Sequence, residues 1–355
     1  FVGHVVGITG SAGKTTTRAM VADVLASLGT VHQTAGNLNN HIGVPLTLLD
    51  TPVDADLVVL EMGMSGPGEI ALLQDIGAPT HRIVTNVSAA HLQGTGSVEG
   101  VARCKQEMFD GARPGDVCIV NADDPFVSAM PLPQGVREIR YGTRRDVDVR
   151  LIQATVDPQT LSTLVEIALP NGTLSARILS PGRHLALNAA AAAALGWSLG
   201  LSADQIAEGL SRYQPVGMRM RVDSVGGVTV LNDAYNANPA SMRAALDTLG
   251  QLPGRRVALL GEMLELGGEE AAYHEQVIRQ LANLHLDLVG LSGPLMAAQA
   301  GLARDLGVEV VSAENATALA ELLKGQINPG DVVLLKGSRG ARMERALQCL
   351  PGEEA

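Results

Sequence analysis

The stretch Gly7-Ile8-Thr9-Gly10-Ser11-Ala12-Gly13-Lys14-Thr15-Thr16 decides the fold of the first half of the chain. The apolar residues around its start predict a short buried strand over Val5–Thr9, and a helix is predicted from about residue 15 to residue 28. Between the two, glycines let backbone N–H groups converge on phosphate oxygens, and the helix N-terminus adds partial positive charge. In that interpretation Lys14 reaches the outer phosphates and Thr15 binds Mg²⁺. Because the glycine spacing departs from the general GxxxxGK[ST] pattern, a plain glycine-rich turn is the alternative.

Strand and helix patterns alternate up to a boundary near residues 213–217. The alternation predicts a parallel sheet with helices on both faces. Residues 140–180 differ, because polar and apolar side chains alternate there around the turn signal Pro170-Asn171-Gly172, which predicts an antiparallel insertion. Further strands are predicted over Leu57–Met62, Arg82–Val87 and Val117–Asn121, and helices over Gly68–Leu73, Ser97–Asp110, 184–199 and 203–212.

After residue 216 the alternation restarts, which predicts a second doubly wound domain. Its predicted strands are Val228–Asp233, Arg256–Leu260, Leu286–Leu291, Val308–Val311 and Asp331–Lys336, and its predicted helices are Pro239–Leu249, Glu269–Leu284, Leu295–Leu306, Ala316–Leu323 and Ala341–Leu347. The fold class is therefore α/β. A central P-loop ATPase-type parallel-sheet domain with an antiparallel insertion, residues 1–216, is followed by a Rossmann-like doubly wound domain, residues 217–355.

Composition and charge exclude several classes of protein. The 355 residues are 46% hydrophobic and 18% charged, which supplies sizeable cores and argues against disorder. The formal net charge of −11 argues against nucleic-acid binding, which needs a basic face. There is no run of 18 apolar residues, so no membrane span is expected. Cys104, Cys118 and Cys349 form no paired framework, which suggests a reducing cytoplasm and no structural zinc.

Lysine is rare in this chain, with only four lysines among the 26 basic residues. Since the chain uses arginine wherever a plain cation suffices, the remaining lysines are candidates for roles that need a compact amine able to lose its proton. Chance is the alternative, and it suffices for Lys324 at a polar helix end. The other three, Lys14, Lys105 and Lys336, fall inside motifs, although Lys105 by its spacing alone is an ordinary helix lysine.

Polar residues follow several of the predicted strands. Glu61 ends a buried strand, where a carboxylate suits Mg²⁺, although such a residue is often merely solvated. His91 follows the next strand and is a ligand candidate or an ordinary surface or core histidine. In the second half, Asn232–Ser241 place more polar side chains at a strand-to-helix junction than a turn needs. Lys336–Gly340 resemble an anion cradle, with a basic surface loop as the alternative.

In this order along the chain, these stretches resemble the Mur ligase family. The resembling stretches are Gly7–Thr16, Thr34–Pro45, Glu61–Gly63, Asn86–His91, Lys105–Phe109, Asn121–Pro125, His184–Ala189, Asp233–Ser241, Leu260–Gly267 and Lys336–Arg339. The family has a UDP-sugar domain, a central ATPase domain and a C-terminal dinucleotide-fold domain. Because this sequence begins at the first strand of the central domain, the resemblance implies that the UDP-sugar domain is missing.

The resemblance implies ATP-dependent amide ligation in bacterial peptidoglycan precursor synthesis. Within the family, the asparagine-rich stretches at 36–40 and 233–238 resemble members that join D-alanyl-D-alanine to a UDP-muramoyl-tripeptide. ATP phosphorylates the terminal carboxylate of the tripeptide, and the amine of the dipeptide attacks the acyl phosphate. The implied enzyme is a cytoplasmic monomer in which a hinge near residues 214–218 closes the two domains over ATP.

The resemblance also assigns roles to individual residues. Lys14, Lys105 and His91 are the catalytic residues, Thr15 and Glu61 hold one Mg²⁺, and His91 with Lys105 helps hold a second. Lys105 matches a lysine that CO₂ converts to a carbamate, an anionic oxygen ligand. The ATP-binding residues are Gly10, Ser11, Ala12, Gly13, Lys14, Thr15, Thr16, Asn188, Arg219 and Asp233. The substrate-binding residues are Asn39, Asn40, Tyr235, Asn236, Asn238, Lys336, Ser338 and Arg339.

Two other functions remain open at this point. The chain could be another amide ligase of the same fold, such as one like folylpolyglutamate synthase, against which the two asparagine-rich stretches argue. It could also be a nucleotide-binding regulatory or scaffold subunit without ligation chemistry. The retained set of Lys14, Thr15, Glu61, His91 and Lys105 argues against that second alternative.

Overall fold

Within residues 3–352, which the structure describes, the first half of the chain folds around one nine-stranded β-sheet. The structure is a computed structural model. The strands are β1 (His4–Thr9), β2 (Val31–Gln33), β3 (Leu57–Glu61), β4 (His81–Val84), β5 (Val117–Asn121), β6 (Arg137–Gly142), β7 (Val149–Asp157), β8 (Ser162–Leu169) and β9 (Gly172–Ile178). Their order across the sheet is β2-β3-β1-β4-β5-β6-β7-β8-β9.

The strand β1 lies between β3 and β4, and both pairings are parallel. In this register Ile8 is opposite Glu61 and Thr9 is opposite Val84. The carboxyl ends of the three strands therefore meet at one edge of the sheet. That edge, where strand order reverses, is where open α/β sheets bind ligands.

The first half of the described chain also contains eight helices, and one of them, His184–Ser198, packs on the sheet mainly with alanines. The helices are α1 (Lys14–Leu25), α2 (Gly43–Leu49), α3 (Glu69–Gly77), α4 (Leu92–Thr95), α5 (Val98–Asp110), α6 (Pro125–Ser128), α7 (His184–Ser198) and α8 (Ala203–Arg212). Residues 189–194 of α7 are six alanines, all fully buried. A side chain at Gly209 of α8 would lie 2.5 Å from the Cα of Val24, so α1 and α8 approach closely. Near the end of α7, the Arg137 guanidinium lies 5.3 Å from the ring centroid of Trp197.

In the described part of the second half, six strands form a separate sheet in the order β10-β11-β15-β12-β13-β14. The strands are β10 (Arg221–Val225), β11 (Val228–Asp233), β12 (Arg256–Leu260), β13 (Leu288–Ser292), β14 (Val310–Ala313) and β15 (Val332–Lys336). All pairings are parallel except that of β10 with β11. The helices are α9 (Pro239–Gly250), α10 (Glu270–Leu281), α11 (Pro294–Ala297), α12 (Ala300–Asp305) and α13 (Ala316–Leu323), with 3₁₀ turns at Gly267–Glu269, Arg339–Ala341 and Met343–Cys349.

The described chain divides into two compact units. The first holds the residues up to Thr155, Ser162–Leu179 and Arg183–Gln214, and the second holds Val156–Leu161, Ser180–Gly182 and the residues from Pro215 onward. The assignment of functional domains to residues 1–216 and 217–355 stays a prediction. Within residues 3–352, no helix is both long and apolar enough to cross a bilayer.

The α/β fold class is confirmed, and the strands Val117–Asn121, Val228–Asp233 and Arg256–Leu260 have the predicted bounds. The predicted antiparallel strands are present, but they continue the first sheet, which β7 joins through a short parallel pairing with β6. The strand predicted over Arg82–Val87 ends at Val84, because the next residues turn toward the glycine-rich loop.

Two element predictions fail in other ways, and several elements were not predicted. The helix predicted over Leu295–Leu306 is two short helices, α11 and α12. The helix predicted over Ala341–Leu347 is a 3₁₀ segment, Met343–Cys349, which begins after Arg342 in a left-handed conformation (φ 49°). The sequence analysis also missed α2, α4, α6, β2, β6 and β10, of which β2 has only three residues and α4 and α6 only four each.

We expect His81 to make the stability of the first unit depend on pH. Burial in β4 and, next, the charge of His4 lower the pKa of His81 to about 4, from an ordinary value near 6.5. As pH falls from 6.5 to 4, His81 becomes protonated in the unfolded chain but stays neutral in the folded protein. The free energy of unfolding therefore falls by up to ~3 kcal/mol. Denaturant unfolding at pH 7 and pH 4.5 should give a smaller difference for His81→Gln. His41→Gln, a change in an exposed loop, is the control, and an equal pH response in all three proteins would refute the assignment.

Candidate active site

The glycine-rich loop between β1 and α1 needs glycine at two positions. Gly10 has φ 154° and Gly13, the N-cap of α1, has φ 80°. A Cβ at Gly10 would collide with the Thr85 hydroxyl, and a Cβ at Gly13 would lie 2.6 Å from Oδ1 of Asn188. At these two positions the backbone lies so close to Thr85 and Asn188 that there is no room for a Cβ atom. Asn188, which the resemblance assigns to ATP binding, lies beside the loop.

The segment after β4 braces this loop. The Ser11 amide donates to the Asn86 carbonyl at 3.0 Å, and the Ala12 amide donates to Asn86 Oδ1 at 2.9 Å. The Ala12 carbonyl accepts from Asn86 Nδ2 at 3.0 Å and from Thr85 Oγ1 at 2.7 Å. The sequence analysis missed this role of Thr85 and Asn86, because it depends on β4 lying directly beside β1.

A buried carboxylate lies beside the first turn of α1. Thr15 Oγ1 donates to Glu61 Oε2 at 2.7 Å, and Asn39 Nδ2 donates to Oε1 at 2.9 Å. Glu61 is 2% exposed, and Nε of the buried Arg18 lies 3.8 Å from Oε2. Mg²⁺ is commonly held by one or two carboxylates together with waters and substrate phosphates. A buried carboxylate with an adjacent hydroxyl, both at a phosphate-type loop, fits that ion.

Two lysines of the first unit, Lys14 and Lys105, influence each other electrostatically. Lys14 Nζ donates to the Gly10 carbonyl at 2.7 Å, within its own loop. Lys105 projects from α5 and is 1% exposed. Burial first, and then the positive charge of Lys14, lower the pKa of Lys105 well below its ordinary value. Lys105 is therefore more readily a neutral amine than a surface lysine is.

The remaining predicted residues of the first unit have local backbone roles. Asn40 Oδ1 accepts from the Ile42 and Gly43 amides and so shapes the turn before α2. His91 is the N-cap of α4 in a left-handed conformation (φ 55°), and its carbonyl accepts from Thr95 Oγ1 at 3.0 Å. Among residues 3–352, no group of three His, Cys, Asp or Glu side chains converges as a metal site.

The predicted residues of the second unit fall into buried and accessible groups. Lys336 Nζ donates to Asp233 Oδ2 at 2.6 Å and to the Asn236 carbonyl at 3.0 Å. Ser338 Oγ accepts from the Leu264 amide at 2.9 Å. Asn238 caps α9 through a reciprocal pair of hydrogen bonds with Ser241. Lys336, Ser338 and Asn238 are buried and bond to protein groups, whereas Asn236 and Arg339 are exposed.

The site defines a class of protein, the phosphate-binding α/β folds. Its features are a strand, a glycine-rich turn, a helix that begins with Lys14 and Thr15, and a carboxylate at the end of the neighbouring strand. Residues 8–196 match the Mur ligase middle domain, and residues 218–339 match the family described as Mur ligase, glutamate ligase domain. The chain belongs to the Mur ligase family.

Individual relatives agree with this assignment. The UDP-N-acetylmuramoyl-tripeptide–D-alanyl-D-alanine ligase of Bacillus subtilis is 36% identical over 352 residues, which cover 98% of this chain and 76% of that protein. Among solved structures, MurF from Acinetobacter baumannii is similar with a TM-score of 0.89 and 31% identity, over 97% of this chain and 75% of that chain. MurF ligase from Thermotoga maritima, in complex with ADP, has a TM-score of 0.87 and 29% identity, over 99% and 80%.

We predict that Gly13→Ala destabilises the first unit more than Gly115→Ala does. Both glycines have positive φ, at 80° and 94°, so both changes incur left-handed strain of ~1–2 kcal/mol. A Cβ at Gly115 meets nothing within 4 Å, whereas one at Gly13 meets Asn188. Denaturant midpoints of the two variants measure the difference. Equal losses would show that Asn188 does not press on the loop.

Proposed function

We propose that this protein is an ATP-dependent ligase that joins D-alanyl-D-alanine to UDP-N-acetylmuramoyl-tripeptide in bacterial peptidoglycan precursor synthesis. The observation that carries the proposal is the Thr15–Glu61 contact at the glycine-rich loop, with the buried Lys105 nearby, in a chain of the Mur ligase family. The names of the curated relatives supply the two substrates.

The chemistry requires activation of a carboxylate. A carboxylate is a poor electrophile because its charge repels nucleophiles and its leaving group would be oxide. Transfer of the γ-phosphoryl group of ATP to a carboxylate oxygen gives an acyl phosphate and ADP. The amine of D-alanyl-D-alanine then attacks the carbonyl carbon, the C–O bond to phosphate breaks, and the amine loses a proton. The site must neutralise negative charge as the carboxylate and phosphate approach.

In this proposal the first unit binds the triphosphate. The loop from Gly10 to Thr16 surrounds the phosphates, and the Lys14 ammonium leaves the Gly10 carbonyl to neutralise their charge. Because Ser11 and Ala12 donate their amides to Asn86, these two residues hold the loop in shape. Thr15 and Glu61 would hold Mg²⁺, which supplies further positive charge at the phosphates. Asn39 orients Glu61 through its amide, and Asn188 orients the nucleotide beside Gly13.

Lys105 is the proposed site of a carbamate. A neutral lysine nitrogen attacks the carbon of CO₂ to form an N–C bond and releases a proton. The product is a carbamate, whose two oxygens carry the negative charge and can bind a metal ion. The lowered pKa of Lys105 supplies the neutral amine that this reaction needs. An arginine cannot make this group, which agrees with the survival of a lysine here in an arginine-rich chain. The carbamate and His91 would serve a second Mg²⁺.

The second unit supplies the other proposed contacts. Arg219 and Asp233 are the nucleotide residues. Asn236 and Arg339 are exposed and are assigned to the peptide substrates, although the Arg339 guanidinium pairs with Glu344 at 2.7 Å in this structure. Tyr235 and Asn40 are assigned to the same substrates. Lys336, Ser338 and Asn238 would act through the loops that they hold. A monomer in the bacterial cytoplasm completes the proposal, and the three buried free cysteines are consistent with a reducing compartment.

The function is tested by ADP formation with ATP, Mg²⁺ and UDP-muramoyl-tripeptide, with and without D-alanyl-D-alanine. We expect ADP release to require the tripeptide, and steady turnover to require the dipeptide. Lys14→Ala should abolish turnover because the phosphate charge is no longer neutralised. Lys324→Ala is the matched control, since Lys324 is exposed and pairs only with Glu321 among the contacts described.

Other outcomes separate the alternatives. Turnover with a different amino acid as acceptor, in a panel of amino acids and dipeptides, would identify another amide ligase of this fold. Phosphate release that ignores both acceptor and amine would favour the regulatory subunit. Wild-type rates in Lys14→Ala would refute the assignment of the phosphate loop.

We expect Lys105→Ala to lose activity and to recover part of it when short carboxylic acids are added. The added acid would replace the carbamate oxygens in the space that the side chain vacates. Removal of CO₂ and bicarbonate should reduce wild-type turnover and leave the acid-rescued variant unaffected. Protein loaded with ¹³CO₂ should show a carbamate carbon resonance that Lys105→Ala lacks and Lys324→Ala retains. Absence of both the resonance and the rescue would exclude the carbamate.

A further inference from the structure

Lys336 ends β15, which lies between β11 and β12 in the second unit. Its side chain is 2% exposed, and its ammonium binds Asp233 Oδ2 at 2.6 Å and the Asn236 carbonyl at 3.0 Å. Asp233 is the last residue of β11, and Asn236 lies in the loop that follows it. A buried ammonium committed to two protein acceptors has little capacity left to bind a substrate, so its charge acts on this loop.

The same loop fixes the segment that carries Arg219. Asp233 Oδ1 accepts the Met220 amide at 3.0 Å, and the Tyr235 amide donates to the Met218 carbonyl at 3.0 Å. The residues on either side of Arg219 are therefore each tied to the loop that Lys336 holds. Met220 has φ 51°, a conformation that a non-glycine residue keeps only when its surroundings determine it. Its carbonyl accepts from Ser180 Oγ at 2.8 Å, which completes that constraint.

The side chain of Arg219 is positioned as well as its backbone. The guanidinium carbon lies 3.6 Å from the centroid of the Tyr235 ring, the geometry of a cation–π contact. Tyr235 belongs to the loop that Lys336 and Asp233 organise. A series of contacts therefore leads from the buried Lys336–Asp233 ion pair to Arg219. The guanidinium of Arg219 lies against the face of the Tyr235 ring.

We propose that Lys336 is a positioning residue that, through Asp233 and Tyr235, sets the orientation of Arg219 for the phosphoryl charge. The proposal rests on the function proposed above, in which Arg219 meets the nucleotide. It assigns Lys336 a role that differs from the substrate contact expected from the sequence. Its physical basis is preorganisation: a guanidinium already held in place needs no reordering when negative charge develops.

The first test is structural and independent of catalysis. A ring close to the guanidinium shifts the Arg219 side-chain resonances by its ring current, and arginine-labelled protein reports that shift. Tyr235→Ala identifies the resonances, because it removes the ring. Lys336→Met should lose the shift because the loop relaxes, and Lys324→Met should keep it. Retention of the shift in Lys336→Met would overturn the proposal.

The second test is a double-mutant cycle on ADP formation. A displaced Arg219 should lower kcat on the order of 10²-fold in Lys336→Met, with less effect on the KM for the dipeptide. The double variant Lys336→Met/Arg219→Met should lose clearly less than the product of the two single losses, because most of the effect of Lys336 passes through Arg219. A structural defect or a direct substrate contact would instead multiply the two losses, which would overturn the proposal.

Two additional variants control for misfolding. They also separate a failure of the positioning role from a failure of the proposed ligase function. Lys336→Met/Asp233→Asn removes both buried charges, so its folding does not suffer from an unpaired carboxylate, yet it should still lose the ring-current shift. Tyr235→Phe keeps the ring and should lose less activity than Tyr235→Ala. If wild-type protein forms no ADP while the shift depends on Lys336, the proposed function fails and the positioning role stands.

Discussion

The hydrogen bond from Thr15 to Glu61 is the interaction on which the candidate site depends. It joins the first turn of α1 to the end of β3 at 2.7 Å, and both residues are buried. It forms only if β3 pairs with β1 in the observed register, with Ile8 opposite Glu61. A strand pairing therefore places a hydroxyl and a carboxylate side by side next to a phosphate-type loop. The proposed magnesium chemistry needs that arrangement before any ligand arrives.

Each unit arranges its own polar groups around a carboxylate at the end of a parallel strand. In the first unit, Glu61 accepts from Thr15 and Asn39, and in the second, Asp233 accepts from Lys336 and from the Met220 amide. Such carboxylates are costly to bury unless they are hydrogen-bonded or paired. Their partners consequently become fixed as well. This is a physical reason why loops at the carboxyl ends of these strands can be rigid although they are irregular.

The fold and the phosphate-type loop could be predicted from the sequence, because apolar runs and glycine positions are local signals. The brace from Asn86 to Ala12 could not, since it requires knowing that β4 is the neighbour of β1. For Lys336 the sequence indicated an anion cradle, with a basic surface loop as the alternative. Its burial and its ion pair with Asp233 depend on β15 lying between β11 and β12. Lys105 is similar: helical spacing placed it on α5, but its burial depends on what packs against that helix. Contacts between elements distant in sequence set these features.

The scarcity of large aromatic side chains has an optical consequence. The chain contains one tryptophan, Trp197, near the end of α7 in the first unit, under the guanidinium of Arg137. Intrinsic indole fluorescence therefore reports on that unit alone. Helix α7 also carries Asn188 beside the glycine-rich loop, so the fluorophore and the loop share one rigid element. A loss of emission intensity or a red shift during denaturation would time the opening of the first unit separately from that of the second, without any engineered label.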